Sequence, residues 1–523
     1  LDLLLENLLV PVETDSPGCY LQYAAKALAL PETETGIIKV LYKKLDYADP
    51  AQFYYKIALA VRVPDNYANP SGFMPYQPET CAAPKRHSVA RKPIIVGFGP
   101  AGMFAALELL ERGIKPLIFE RGKKVEDRLQ DIARFNTEQV LDEESNIQFG
   151  EGGAGTCSDG KLFSRRHNSA ATQKVLATFI KFGAPAEIAY RDKPHLGTDT
   201  LCRIVKNMRE HILAGGGEIF YSAKVTGLIR SDGKLRGVTV NDGREYLADT
   251  VFLATGHSAR DTFALLQNEG MALEPRPFSV GARLEHPAAL INRLRYGEKY
   301  KDLKSLGAAV YSLTYTDRAQ KRGAYTFCMC PGGEIVNASS QDGFIALNGM
   351  SYAARAGEYS NAAIAVTCRP EDYNSPDPLA GMEFQRAIER KAFLAGGGNW
   401  KVPAQNLEDF LARRETKEVL QNSCKTGAAA ADLRAVLPDF VCNLLADAFA
   451  KWKEEAPGFV SARAVLLAPE TRTTSPVRMT RDENYDSLNI KNLCPIGEGA
   501  GYAGGITSSA SDAIRAVEKR FSA

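Results

Sequence analysis

The spacing Gly97-x-Gly99-x-x-Gly102 lies between a short β-branched run, Ile94-Ile95-Val96, and a stretch of helical spacing that stops at Gly113. Leu117-Ile118-Phe119 reads as a second strand and ends on Glu120, eighteen residues past Gly102. The chemistry such an arrangement offers is the binding of a pyrophosphate and a ribose. Gly97 permits the tight turn, Gly99 lets the backbone approach the phosphates, and Gly102 lets the helix lie close on the sheet. Pro100 and Ala101 open that helix, whose free N–H groups face the anion. Glu120, with Arg121 beside it, is placed to accept hydrogen bonds from a ribose diol.

Two further matches to this spacing, Gly150-x-Gly152-x-x-Gly155 and Gly499-x-Gly501-x-x-Gly504, fail on the residues downstream of them. The former lacks an amphipathic helix and a strand with an acid about twenty residues on. It reads as a glycine loop (Gly152, Gly153, Gly155, Ser158) whose backbone lies against a cofactor. The latter comes too near residue 523 for a strand and an acid to succeed it, so it completes the first site rather than forming another.

Reactive side chains are sparse. Arg283, Glu285 and His286 form a polar group after Ser279-Val280-Gly281-Ala282. Arg suits an anion and His a proton transfer, yet alternation along a strand puts Arg283 and Glu285 on one face and His286 on the other, and a structural ion pair is the preferred reading. Cys328 and Cys330 alternate so as to share a strand face. They read either as a redox relay or, preferred because no helix N-terminus stands by to lower a thiol pKa, as two buried inert thiols. His195 and Asp199 occur in one short string and read as support for the cofactor domain, Asp199 or Thr198 as a helix cap being the plain alternative, and His257, directly after Thr255-Gly256, is read near the adenine rather than the reacting ring of a cofactor. No Ser-His-Asp set, paired carboxylates or metal-ligand spacing is evident.

The elements that position these residues read as four units. Residues 1–88 form a small α+β unit: a helical patch at 20–30 and strands at 36–42 and 53–63. Lys43, Lys44, Tyr54 and Lys56 there admit an RNA-binding reading, against which a half-buried sheet with a solvated basic side is preferred. A Pro- and Lys/Arg-rich linker covers 77–92. Residues 89–270 hold the first nucleotide strands, a charged helix at 125–140, a helix at 198–213 ending at Gly215-Gly216-Gly217, and a meander with turns at Asp232-Gly233 and Asp242-Gly243. Residues 271–460 mix strands such as 308–315 and 362–367 with helices at 381–394 and 440–452, the pattern of a substrate domain. Residues 461–523 return to strand, glycine turn and helix.

With 45% hydrophobic and 24% charged residues the composition is that of an ordinary globular protein. A net charge of +2 gives no field arguing for nucleic acid or membrane. No apolar run reaches the roughly 20 residues of a membrane helix, and the acid-bearing first residues do not suit a signal peptide. The ten cysteines lack CxxC spacing, so reduced thiols in a cytoplasmic protein are expected.

Ala254-Thr255-Gly256, and Gly497-Glu498-x-x-Gly501 leading into a helix opened by Gly504, Gly505 and Ile506, resemble the two auxiliary FAD motifs of flavoproteins in the glutathione-reductase group, in which the acid at the Glu498 position binds the ribityl chain or pyrophosphate and the helix N-terminus faces the flavin. Longer strings at 152–162, 194–199, 277–287, 327–336, 348–363 and 495–510 resemble a family of bacterial FAD-dependent, or NAD(FAD)-utilising, dehydrogenases. The resemblance departs at Cys157, where an aromatic is usual, so Cys157 is not expected to be catalytic. It implies an α/β fold, a Rossmann-type FAD-binding domain with an inserted α+β substrate domain and a small N-terminal α+β domain. It also implies hydride transfer between flavin and a small organic substrate, with NAD(P)H as a possible transient donor. A flavin is served by a cation near its ring, for which Lys161, after Ser158-Asp159-Gly160, is the candidate, a surface lysine beside a turn being the equal alternative; Arg283, His286, Cys328 and Cys330 are the other catalytic candidates. A monooxygenase of the hydroxybenzoate-hydroxylase type and a flavoprotein acting on RNA are the alternatives.

Overall fold

The structure is a computed structural model and describes residues 1–78, 85–162, 169–241 and 243–521. Part of the expected linker at 77–92, the end of the second glycine loop beyond Leu162, and Asp242 of one expected turn lie outside the described residues. The chain forms several sheets of mixed α/β character.

Three-residue apolar strands build the central sheet. Leu493–Pro495, Val251–Leu253, Ile94–Val96, Leu117–Phe119 and Glu218–Phe220 lie side by side, all parallel. Such short strands bury both faces and need helices on them. The helices Pro100–Glu111 and Ile506–Arg520 pack on one side, in a core with Phe104, Leu109, Ala510 and Ile514. The antiparallel meander of Val225–Ser231, Lys234–Val240 and Arg244–Leu247 covers the other side through Val238, Val240 and Phe119. Parallel pairing thus brings residues near 95, 252 and 494 into register, which is how distant glycine turns come to one edge.

The largest sheet has seven strands. Thr314–Asp317, Arg322–Cys330, Tyr359–Cys368, Phe278–Pro287, Val465–Glu470, Val402–Asn406 and Ala428–Ala430 lie in that order. Val465–Glu470 belongs here although it lies beyond residue 460. Helix Asp439–Glu455 packs on this sheet with Phe449 and the fully buried Trp452. The expected strand at 308–315 is corrected to Thr314–Asp317, because the preceding backbone is tied to side chains: the Ala309 N–H donates to Asn292 Oδ1 and the Tyr311 N–H to Met329 Sδ.

The N-terminal four-stranded sheet runs Gly36–Asp46, Tyr54–Arg62, Asp2–Pro11, Met74–Pro75, with helix Pro17–Leu28 against it. The Lys43 ammonium donates to Asp15 and to Tyr20 Oη and stands 4.2 Å above the Tyr55 ring, while Lys56 pairs with Asp46 at 2.8 Å. The Lys43 N–H also donates to the Tyr190 carbonyl at 2.7 Å, and Asp192 N–H to the Lys43 carbonyl at 3.0 Å. Among the described residues no helix is long and apolar enough to cross a membrane, and no group of three or more His, Cys, Asp or Glu stands ready to hold a metal.

Candidate functional site

The strand ends of the central sheet open into a cavity of about 380 Å³ lined by residues drawn from between Val96 and Ser509, none of them from the N-terminal sheet. Gly97, Gly99, Pro100 and Ala101 line it together with Glu120 and Arg121. Gly97 has φ 97°, and a Cβ there would stand 2.5 Å from the Ala254 carbonyl oxygen. A Cβ on Gly102 would stand 2.0 Å from the Gly97 carbonyl oxygen. Only glycines allow the turn and the helix to close on each other in this way. Gly102 does not reach the cavity; it shapes it from behind.

Glu120 is buried and binds backbone rather than standing free. Its carboxylate accepts from the N–H groups of Phe98 at 2.8 Å, Gly122 at 2.9 Å and Gly150 at 3.0 Å. One side chain therefore ties the first glycine turn to the second glycine loop, and two oxygens with about four lone-pair sites leave room for another donor from the cavity. Arg121 lies over the Phe149 ring at 4.1 Å and pairs with Asp261 and Glu144.

The second loop contributes Gly153, Gly155, Ser158 and Lys161 to the wall, while Gly152 packs outward against Thr156. The loop is clamped by Arg128, which sequence reasoning missed because an arginine on a charged helix carries no distinguishing mark. Its guanidinium is wholly buried and donates to the carbonyls of Asn146, Ile147, Glu151 and Gly153 at 2.7–3.0 Å.

The remaining glycines make a cradle. At Gly256, Gly504 and Gly505 a Cβ would find nothing within 4 Å, and all three line the cavity beside Thr255, Glu498 and Ile506. Gly497 and Gly501 do not line it: a Cβ on Gly497 would meet Ala101, and one on Gly501 the Val477 carbonyl. The buried Thr255 Oγ1 and His257 Nε2 have no protein partner. Bare backbone facing open space, unsatisfied polar atoms, and the open end of the helix Pro100–Glu111 together fit a phosphate-bearing dinucleotide.

Ionisable groups also line the cavity, Asp159, Lys161, His257, Arg472 and Glu498 among them. Burial would raise the Asp159 carboxyl, but the charges of Lys161 at 2.7 Å and of Arg355 outweigh it and hold the group at about 2. Burial, with the Cys328 thiol nearby, pushes the Glu498 carboxyl up to about 7. Burial, with Arg472 and Arg260 adding to it, brings His257 down to about 4, and its Nδ1 lies 3.6 Å from Glu498 Oε1. Arg472, on the wall, shares the buried Glu389 with Arg260. The run Glu470-Thr471-Arg472-Thr473 was not singled out in the sequence, although polar residues at the end of a buried strand were a signal for it.

Three expectations are corrected. Arg283 does not pair with Glu285: it pairs with Glu470 at 2.8 Å, and Glu285 accepts from the N–H and hydroxyl of Ser423. The cause is that Phe278–Pro287 is a central strand buried on both faces, so each polar side chain takes a partner from a neighbouring segment. Neither Arg283 nor His286 lines the cavity, His286 Nε2 being 2.8 Å from the Phe459 carbonyl oxygen. Helix Thr198–Ala214 is not capped by Asp199 or Thr198: Gly197 precedes it, crossing so close to residues 352–353 that Asp199 accepts the Ala353 N–H at 2.8 Å. Finally, Cys328 and Cys330 do not alternate on a regular strand and are not both buried. A bulge separates Phe327 from Cys330, Cys328 has φ 44° and is half-exposed on the cavity wall, and Cys330 is buried behind it. Cys157 is buried, its thiol raised by that burial. His195 contacts the Ala353 carbonyl and does not line the cavity.

Residues 277–473 match the family model described as FAD-dependent protein, C-terminal domain-like. An uncharacterized protein of Clostridium beijerinckii is 45% identical over 433 residues, spanning 82% of this chain and 80% of its own length. Among solved structures, P. aeruginosa PqsL in complex with 2-aminobenzoylacetate is 12% identical, covering 83% of this chain and 88% of its own, at a TM-score of 0.36. The flavin-dependent brominase Bmp2 is likewise 12% identical, over 82% of this chain and 78% of its own, at a TM-score of 0.37. Likeness that loose bears on neither reaction nor substrate.

Proposed function

The chain belongs to the family of its Clostridium beijerinckii relative and carries the C-terminal domain of FAD-dependent proteins; on that premise we propose that it is an oxidoreductase that holds FAD in this cavity and oxidises or reduces a small organic substrate beside it. The observation that carries the reading is the single cavity running from Gly97–Ala101 and Glu120 to Lys161 and Glu498. Gly97, Gly99, Glu120, Gly153, Gly256 and Gly505 would hold the dinucleotide, and Lys161 and Glu498 stand toward the reacting end.

Bound FAD supplies two-electron redox chemistry. The chain's own residues supply charge and a proton site. Lys161 is kept in place by Asp159 and offers a fixed cation. Glu498, with its carboxyl near neutrality, can take a proton from a substrate and release it at ordinary pH, while His257 beside it stays neutral and adds no charge. NAD(P)H, where it serves as donor, meets the same cavity from the substrate side.

Flavin-free protein mixed with FAD and gel-filtered retains about one FAD per chain and retains FMN far less, because the glycine turn and Glu120 hold the adenylate half. Equal retention of FMN, or none of FAD, sinks the reading. A second expectation concerns pH. With a reduced organic substrate under anaerobic conditions, loss of flavin absorbance quickens about tenfold per pH unit up to about 7 and then levels, as the Glu498 carboxyl becomes carboxylate. Glu498→Gln is slower by roughly 10²–10⁴ and flat across that range; a variant that keeps the wild-type profile removes Glu498 from the proton path.

A further inference from the structure

Cys328 and Cys330 lie where the long strand Arg322–Cys330 gives up its regular pairing. Phe327 is opposite Ala363 and Cys330 opposite Asn361, so two residues on one strand face one on the other. In a regular strand, residues two apart are separated by roughly 6.5–7 Å, at the edge of what a disulfide spans. The left-handed φ of 44° at Cys328 breaks that extension, and the Cys330 thiol reaches back to within 3.4 Å of the Cys328 carbonyl oxygen. A left-handed residue other than Gly or Asn is strained and persists only where its surroundings enforce it. Here Arg283 enforces it, donating to that same carbonyl at 2.9 Å while anchored to Glu470 and Asn348. Gly349 packs against both groups: a Cβ there would stand 2.5 Å from Arg283 Nη1 and 2.9 Å from Cys330 Sγ.

The two thiols are differentiated by place. Cys328 is on the cavity wall with Lys161, Asn348 and Glu498, and Cys330 is behind it. We infer that Cys328 and Cys330 are a redox-active dithiol–disulfide pair that exchanges two electrons with the cofactor of the cavity and serves a small disulfide substrate. The inference rests on the reading that the cofactor is FAD. Oxidation of the pair would break both S–H bonds, form one Sγ–Sγ bond and release two electrons and two protons, which FAD held beside Gly153, Lys161 and Glu498 would take up; the reverse transfer would restore the dithiol. Toward a disulfide, the Cys328 thiolate attacks one sulfur and expels a thiolate that takes up a proton. Cys330 then attacks Cys328 Sγ and expels the second thiol. The electrostatics agree with these roles: the Cys330 thiol, with Lys161 and Arg283, pulls the Cys328 thiol well below the ordinary range, and Cys328 and burial push Cys330 up.

The test uses holoprotein. Anaerobic reductive titration of air-oxidised wild type is expected to take about four electron equivalents per FAD, and Cys328→Ser or Cys330→Ser about two. The tryptic peptide 323–355 contains both cysteines and no other. It is expected to carry no maleimide after denaturing alkylation of the oxidised protein and two after reduction, a readout that needs no variant. Reduced Cys330→Ser exposed to hydroxyethyl disulfide is expected to retain a mercaptoethanol adduct on Cys328. Wild type that takes about two equivalents with both thiols alkylated throughout, together with Cys330→Ser that traps no adduct, overturns the pair and leaves the FAD reading standing. Protein that retains no FAD overturns both.

Discussion

Glu389→Gln is expected to destabilise the protein by about 3–5 kcal/mol, the cost of removing one partner from a buried ion pair. Glu389 is wholly buried and accepts two bonds from Arg260 at 2.8 Å each, two from Arg472 at 3.1 Å each, and one from the Thr471 hydroxyl at 2.7 Å. Two guanidiniums share one carboxylate in the interior, so the group already carries a surplus positive charge. Glutamine has almost the same volume, so the loss measures charge rather than packing. Its amide nitrogen would also face donors.

The pH dependence gives the sign. Burial would raise the Glu389 carboxyl, but Arg260 and Arg472 outweigh it and hold the group below the ordinary glutamate range. A depressed carboxyl stabilises the fold above its unfolded pKa and loses that contribution as pH falls toward the folded one. The difference between wild type and Glu389→Gln in denaturant midpoint should therefore be constant near neutrality and shrink in acid. A difference under about 0.5 kcal/mol at neutral pH would mean that the cluster relaxes to admit water. Because Arg472 stands on the cavity wall, the variant also alters the charge facing the cofactor, and added FAD should recover only part of the loss.

The central sheet was legible because its strands announce themselves locally: Ile94–Val96 and Leu117–Phe119 are short β-branched or apolar runs closed by a glycine turn or an acid. The joining of Leu493–Pro495 to that sheet was inferable from the glycine turn directly after it. What sequence could not supply was pairing between side chains far apart in the chain. Arg283 has Glu285 two residues away, yet its partner is Glu470, because strand Val465–Glu470 is its neighbour and Glu285 faces Ser423. Likewise nothing local reveals the bulge at Cys328: strand alternation fits the string, and only the mismatch with Tyr359–Cys368 turns one thiol into the cavity. Glu120 was placed at the ribose by its distance from the glycines. Its second role, binding three backbone N–H groups from two loops, is a consequence of burial that spacing does not show.

Arg128→Lys is expected to cost a similar amount of stability, about 3–5 kcal/mol, and to lower FAD affinity by roughly 10²–10³. Arg128 is on helix Val125–Glu138, and its planar fork reaches Nε to Asn146, Nη2 to Ile147, and Nη1 to Glu151 and Gly153. Each acceptor is a backbone carbonyl of the loop whose Gly150, Gly153 and Gly155 line the cavity. A lysine keeps the charge but has one compact head and a shorter reach, so it cannot satisfy carbonyls spread along eight residues at once. The orphaned carbonyls would draw water into the loop. The Gly150 N–H to Glu120 bond, which joins this loop to the first glycine turn, would then loosen with it. Amides of Gly152 and Gly153, which donate to Phe98 and Gly150, should exchange hydrogen faster, while those of the seven-stranded sheet stay unchanged. Glu389→Gln acts through charge and should move with pH; Arg128→Lys acts through geometry and should not. A lysine variant that binds FAD as tightly as wild type, with unaltered exchange across 146–160, would show that the loop needs only a positive charge and not the fork.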